Sequence, residues 1–286
     1  MRTITTVSEM AVASAERKSR GETIGFVPTM GYLHEGHLSL VRESRKRADT
    51  TVVSIFVNPL QFGPSEDFRR YPRDPERDAA LLNKEGVDIL FLPGDSEMYP
   101  GGYRTSVEVA GLQDRLCGRS RPGHFRGVAT VVLKLFNIIR PDIAFFGQKD
   151  AQQVVVIRRM VEDLNLGVEI RAMPIVREPD GLAMSSRNSY LNAEDRRAAL
   201  VLFKSLEEAR RLYNAGERNC DRVRESMRRI LAAEPRARVD YVEIVNPASL
   251  EPIEQVEGQA LVAVAAYLGS TRLIDNIILG ATGDAE

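Results

Sequence analysis

Apolar and polar positions along the first 173 residues fall into two alternating textures. Short apolar, β-branched runs at 23–27, 51–57, 87–92, 105–109, 143–146 and 168–173 read as strands. Between them, 38–47, 74–85, 127–139 and 151–164 carry helical spacing. The second of these opens on Asp74 and Pro75, a carboxylate cap followed by proline at the first helical position, and stops at Gly86. Five or six strands with crossover helices predict an α/β fold with a mostly parallel sheet. Strand-to-helix junctions should then share one edge, where open α/β folds bind their ligands.

After Pro174 the texture changes. Residues 178–192 are polar and turn-rich, two helices are expected over 193–215 and 221–233, and three β-like segments follow at 239–245, 259–267 and 271–278. This predicts a boundary near residue 176, dividing the chain into 1–175 and a smaller α+β part, 176–286.

Composition narrows the function classes. With 286 residues there is ample chain for a core, and 39 basic against 40 acidic side chains leave a formal charge of −1, which argues against a dedicated nucleic-acid binder. The two cysteines, Cys117 and Cys220, form no CxxC pair and fit a reducing compartment. The longest apolar run, Ala260–Leu268, is far below the roughly 20 residues that span a bilayer. A soluble cytoplasmic protein without a membrane partner is expected. Only six of the basic residues are Lys and three residues are His, so their appearance in glycine-flanked loops carries weight.

The sequence PTMGYLHEGH, ending at His37, lies between the first strand and its helix. His34 and His37, at i and i+3 with Gly36 between them, would share one side of a first helical turn, beside unpaired N–H groups and the positive end of the helix dipole. Such a place attracts phosphate, and donors there would stabilise charge developing in a transferring phosphoryl group. The pair could instead begin a metal site, completed by His124, Cys117 or a carboxylate, or be incidental to a surface turn. A second group, Gly147, Gln148, Lys149 and Asp150, follows an apolar strand; Lys149 could reach the same edge or simply be solvated, while Asp150 is expected to cap the helix from Ala151. Gln152 and Gln153 follow, and one of them should face the pocket. Met184, Ser185, Ser186 and Arg187 form a polar loop suited to triphosphate. Gln61, leaving the second strand, could orient a small polar acid or be a plain loop amide. Arg119, Arg121, His124 and Arg126 could steer anions, although a solvated loop is the expectation for most of them.

The ordered set PTMGYLHEGH, FVNPLQF, RPGHFRGV, FFGQKD and MSSRN resembles the pantoate–β-alanine ligase family, within the superfamily of HxGH nucleotidylyltransferases and class I aminoacyl-tRNA synthetases. The resemblance spans about residues 1–280. It implies a Rossmann-like amino-terminal domain that binds ATP and pantoate, a carboxy-terminal lid, a homodimer, and ATP-dependent joining of pantoate to β-alanine through a pantoyl adenylate, with Mg²⁺ accompanying ATP. Carried over by position, Met30, Gly31, Tyr32, Leu33, His34, Glu35, Gly36 and His37 match an ATP segment, with His34 and His37 at the phosphates. Gly147, Gln148, Lys149 and Asp150 match another, as do Met184, Ser185, Ser186 and Arg187, with Val176 near the adenine or ribose. Lys149, Ser185, Ser186 and Arg187 would hold phosphates. Gln61 and Gln153 match the pantoate glutamines, and Gln61 also borders β-alanine. Gln148 stands where the family often has Glu. The metal ligands are left undefined. Two other functions remain in view: an HxGH adenylyltransferase with a phosphate acceptor, which would need more cations in its acceptor site, and a nucleotide-binding module without chemistry.

Overall fold

The computed structural model describes residues 1–64 and 66–280. Its first part runs β1 (Arg2–Ile4), α1 (Val7–Ser19), β2 (Ile24–Thr29), α2 (Glu35–Arg47), β3 (Thr50–Ile55), α3 (Pro75–Lys84), β4 (Ile89–Phe91), the short helices α4 (Asp95–Met98) and α5 (Cys117–Ser120), α6 (His124–Ile139), β5 (Ile143–Gly147), α7 (Ala151–Asp163) and β6 (Glu169–Met173). The six strands form one parallel sheet in the order β1-β4-β3-β2-β5-β6.

Period-two alternation explains why these strands read as unbroken apolar runs. Phe26, Val52 and Phe146 face a core shared with α1, α6 and α7, whereas Val27, Val53 and Phe145 face one shared with α2 and α3. A parallel sheet buried on both faces needs apolar side chains at successive positions. From β2 the chain winds outward through β3 to β4, and from β5 it winds the other way to β6. The carboxyl ends of β2 and β5 therefore flank the switch point, the usual crevice of such folds.

The second part contains α8 (Ala193–Ala198), α9 (Leu200–Asn214), α10 (Cys220–Ala232), β7 (Ala237–Val245), β8 (Ala260–Leu268) and β9 (Thr271–Leu279), the strands forming an antiparallel sheet in that order. One face packs on α9 and α10. On the other, Leu261 and Ala263 join Leu116 and Ala151 of the first part.

Several expectations need correction. Residues 105–109 are not a strand: Val107 donates to Thr130 Oγ1 at 2.9 Å and Val109 to Gln113 Oε1 at 3.2 Å, so side chains replace a sheet partner. The helix expected from Gly127 begins at His124, and the one expected over 193–215 breaks between α8 and α9. β1 and α1 were not anticipated; β1 has three residues, and α1 buries only the small inner stripe Met10, Ala13 and Ser14. Asp74 does cap α3, accepting from the Arg77 N–H at 3.1 Å. Asp150 does not cap α7: a 3₁₀ turn, Gln148–Asp150, runs straight into the helix and denies Asp150 the extended backbone that a cap needs.

Among the described residues, no helix is long and apolar enough to cross a membrane.

Candidate active site

Three features turn the chain from β2 into α2. Gly31 and Tyr32 adopt left-handed backbone angles, φ +82° and +52°. The buried carboxylate of Asp78, from α3, accepts the N–H groups of Tyr32 at 2.6 Å and Leu33 at 2.8 Å. A Cβ on Gly31 would lie 2.9 Å from Ile55. The loop is thus fixed before any ligand arrives, with His34 as the N-cap residue of α2.

His34 and His37 stack with ring centroids 4.0 Å apart. His37 Nδ1 accepts the backbone N–H of His34 at 3.3 Å, and because an amide N–H can only donate, the ring proton of His37 must sit on Nε2. His34 Nδ1 is buried without a hydrogen-bond partner among the described residues. Burial, reinforced by Lys149, pushes His34 down to about pKa 4. Burial, then His34 and Lys149, holds His37 well below the ordinary imidazole value. Both rings are neutral at pH 7, and each neutral ring carries one N–H, at a helix N-terminus. The cation beside them is Lys149, delivered by the end of β5.

The other sheet ends complete one cavity of about 220 Å³, bordered by Met30, Gly36 and both histidines on one side and by Gly147, Lys149, Asp150 and Gln153 on another. Val176, Met184, Ser185, Ser186 and Arg187 close it, and Gln61 forms part of its wall. It adjoins a cavity of about 340 Å³ between the two sheets, which shares Lys149, Gln153 and Arg187. Of the segment matched in sequence, Gly31, Tyr32, Leu33 and Glu35 turn away. Leu33 is buried in the core beneath α2, and Glu35 pairs with Arg42. Gln148 also turns away: its side-chain NH₂ donates to Asn276 Oδ1 of β9 at 3.2 Å, and its backbone carbonyl accepts from Asn276 Nδ2 at 3.0 Å.

Gln61 ends a 3₁₀ turn, Pro59–Gln61, and is 9% exposed. The buried Asn58 sets the direction of its amide. Asn58 Nδ2 donates to the Gly127 carbonyl at 3.1 Å and Oδ1 accepts the Leu60 N–H at 3.3 Å, backbone groups with one possible role each. Asn58 Nδ2 therefore also donates to Gln61 Oε1, at 3.0 Å, and Gln61 is left to present its NH₂, one hydrogen of which meets Met30 Sδ at 3.2 Å. Such an amide recognises an acceptor: a carboxylate or hydroxyl oxygen.

The adjacent glutamines of α7 divide. Gln152 is buried and spends its amide on the backbone of Leu112, Arg115 and Cys117, at 2.7 to 2.9 Å. Gln153 borders both cavities. Ser185 Oγ accepts the Arg187 N–H at 3.3 Å, and Ser186 Oγ donates to the Tyr32 carbonyl at 3.2 Å, tying the two loops together.

Sequence reasoning missed Asp67, whose carboxylate holds Arg187, and Asp78; neither has a local signal, because their partners are distant in the chain. Arg121 and His124 are also more than a solvated loop. Both lie in the cavity wall, whereas Arg119 and Arg126 are exposed and paired with Glu243 and Glu108. Among the described residues no group of three or more His, Cys, Asp or Glu side chains is arranged to hold a metal.

Sheet order, a helix N-terminus at the switch point and a lysine beside neutral donors define a Rossmann-like α/β protein equipped to bind an anionic ligand. The comparisons with known proteins refine this class. A model of the pantoate-beta-alanine ligase family matches residues 2–278. The chain is 60% identical over 275 residues to a pantothenate synthetase of Pelotomaculum thermopropionicum, covering 96% of this chain and 98% of that one. It is 59% identical over 280 residues to one from Thermotoga petrophila, covering 98% and 100%. A pantothenate synthetase structure from Thermus thermophilus superposes with a TM-score of 0.93 at 49% identity, covering 97% and 99%. A pantoate-beta-alanine ligase from Francisella tularensis, complexed with β,γ ATP and β-alanine, superposes with a TM-score of 0.80 at 33% identity, covering 97% of each chain. The chain belongs to the pantoate–β-alanine ligase family.

Proposed function

We propose that this enzyme condenses pantoate with β-alanine at the expense of ATP, supplying pantothenate for coenzyme A biosynthesis. A carboxylate oxygen of pantoate attacks the α-phosphorus of ATP; the bond to the bridging oxygen breaks and pyrophosphate leaves. The amine of β-alanine then attacks the acyl carbon of the pantoyl adenylate, a C–N bond forms, and AMP departs as the nitrogen gives up a proton. The family match across residues 2–278 carries this reading.

In this scheme His34 and His37 donate to the phosphates from the start of α2, and Lys149, Ser185, Ser186 and Arg187 hold the remaining charge. Gains are largest where charge develops in the transition state. Gln61 and Gln153 hold pantoate, Gln61 borders β-alanine, and Val176 lies by the adenine or ribose. Mg²⁺ typically binds through phosphate oxygens and one or two carboxylates. Asp150, in the walls of both cavities and 4.0 Å from Lys149 Nζ, suits the carboxylate part. When bound, the cation would offset part of the triphosphate charge.

We further propose that residues 176–286 act as a lid: Asn276 of β9 donates to the carbonyls of Gln148 and Lys149, at 3.0 and 2.9 Å, linking that sheet to the phosphate segment. A cytoplasmic homodimer is proposed on the family resemblance. The deciding experiment incubates purified protein with ATP, Mg²⁺, pantoate and β-alanine. AMP and pantothenate should appear together, each dependent on both organic substrates, and folded protein that makes neither would refute the reading. Sedimentation velocity tests the dimer.

A further inference from the structure

Of the three histidines, His124 is the one that the proposed reaction leaves without a task. Its ring is gripped at both nitrogens by groups that can each play one part. The Arg121 guanidinium has donors and no acceptor, so His124 Nε2, 3.1 Å from Arg121 Nη1, must present its lone pair. The Gln61 carbonyl only accepts, so Nδ1, 2.8 Å from that oxygen, must carry the proton. Neighbours thus dictate the tautomer, and a second proton would set an N–H against the guanidinium. With both nitrogens engaged, the ring offers a substrate no hydrogen bond.

Arg121 is held in turn by Glu66, in a two-point ion pair at 2.8 and 2.6 Å. Glu66 lies five residues beyond Gln61, so the contacts form a closed loop: the Gln61 carbonyl, His124, Arg121, Glu66 and the chain back to Gln61. A single 3₁₀ turn is a weak frame for a side chain that must aim at a ligand. Asn58 sets which end of the Gln61 amide faces the cavity and ties the start of the turn, at the Leu60 N–H (3.3 Å) and, through its own carbonyl, at the Gln61 N–H (3.4 Å), but it makes no contact with the Gln61 carbonyl. Among the described residues the Gln61 carbonyl has one close partner, His124; Arg121 Nη2 approaches it only to 3.4 Å.

We infer that His124 is a positioning residue. It anchors the main chain of Gln61 and thereby the NH₂ group presented to the acid substrates. This rests on the role proposed for Gln61. Had the contact served stability alone, substrate affinities would not follow the chemistry at Nδ1.

The test compares His124→Asn, His124→Gln and His124→Leu in pantoate-dependent ATP–pyrophosphate exchange and in pantothenate formation. The asparagine amide falls near Nδ1 and can still donate to the Gln61 carbonyl, whereas the glutamine amide reaches toward Nε2. His124→Asn should keep KM for pantoate and β-alanine within about twofold of wild type. His124→Gln and His124→Leu should raise both by about five- to tenfold, the worth of one neutral hydrogen bond, with KM for ATP moving less than about twofold. Equal behaviour of the Asn and Gln variants, a change shared equally by ATP, or loss of folding in the Asn variant would overturn the inference. If only His124→Leu fails to fold, the Asn–Gln comparison decides. Wild-type protein that shows no pantoate-dependent exchange counts against the proposed function instead.

Discussion

Asp67 and Arg187, 120 residues apart in the chain, meet in a two-point ion pair, with Nε 3.0 Å from Oδ2 and Nη2 2.9 Å from Oδ1. The guanidinium also lies over the Tyr71 ring, 5.4 Å from its centroid. Burial raises the Asp67 carboxyl pKa, and the contact with Arg187 more than offsets this, leaving it below the usual range. An Arg fork matches carboxylate and phosphate equally well. On the reading proposed above, Asp67 therefore occupies the group that the triphosphate needs.

Asp67→Asn should relieve that competition. The pair is partly exposed, so its worth is about 1 kcal/mol, and binding of a non-hydrolysable ATP analogue should tighten by about fivefold in calorimetry. Weaker binding would instead assign Asp67 to the ligand-bound state.

The histidines make a pH prediction whose sign is fixed by their shifts. His34, at about pKa 4, and His37, lower than an ordinary imidazole, both titrate in the unfolded chain near 6.5. As pH falls below about 6.5 the unfolded state takes up protons first, so the stability linked to these groups is full above that value and declines toward pH 4. Thermal melts should show this decline, and it should be smaller in His34→Gln. An NMR titration should place the His34 midpoint near 4. A midpoint near 6.5 would mean an exposed, ordinary imidazole and would remove the basis for calling it a neutral donor.

The parts of the site that were legible in sequence are those governed by nearby residues. An apolar run over 23–27, glycines at 31 and 36 and two histidines one turn apart specify a strand–turn–helix junction locally, and the structure builds it, carrying the strand on through Pro28 to Thr29. Asp78 and Asp67 depend on loops and helices brought together by the sheet, so no spacing announces them; Asn58 and Gln61 are only three residues apart, but the Gly127 carbonyl that orients the Asn58 amide is 69 residues away. Asp150 shows a local rule losing: its type and position suit a cap, but the preceding 3₁₀ turn fixes its backbone first. Arg121 and His124 looked like a solvated basic stretch because their partners, Glu66 and the Gln61 carbonyl, lie 55 and 63 residues away.

Gln152 and Gln153 should respond to the same substitution in opposite ways. Gln152→Ala strands three backbone groups, the Cys117 N–H and the carbonyls of Leu112 and Arg115, and should cost about 2 to 3 kcal/mol in denaturant unfolding. Gln153→Ala leaves those contacts intact. It should raise KM for pantoate about tenfold with little change in stability. If both variants lose stability alike, Gln153 is a packing residue.

Gly36 separates stability from activity within one residue. A Cβ added there would stand 2.9 Å from His34 Cε1 and 3.0 Å from Nδ1, closer than a relaxed contact allows. The obstacle is an imidazole that can swing away, and Gly36 lies in the first turn of α2, where alanine is the better helix former by up to about 1 kcal/mol. Gly36→Ala should therefore fold at least as stably as the parent, within about 1 kcal/mol, while displacing His34 from the cavity. Loss of one well-placed donor to a transition state costs about 10²-fold or more in turnover. The expected result is a Tm unchanged or raised with kcat reduced by that order. A variant that keeps full kcat would show that the observed place of the His34 ring is immaterial to turnover; one that loses several kcal/mol of stability would show that Gly36 is needed for the fold.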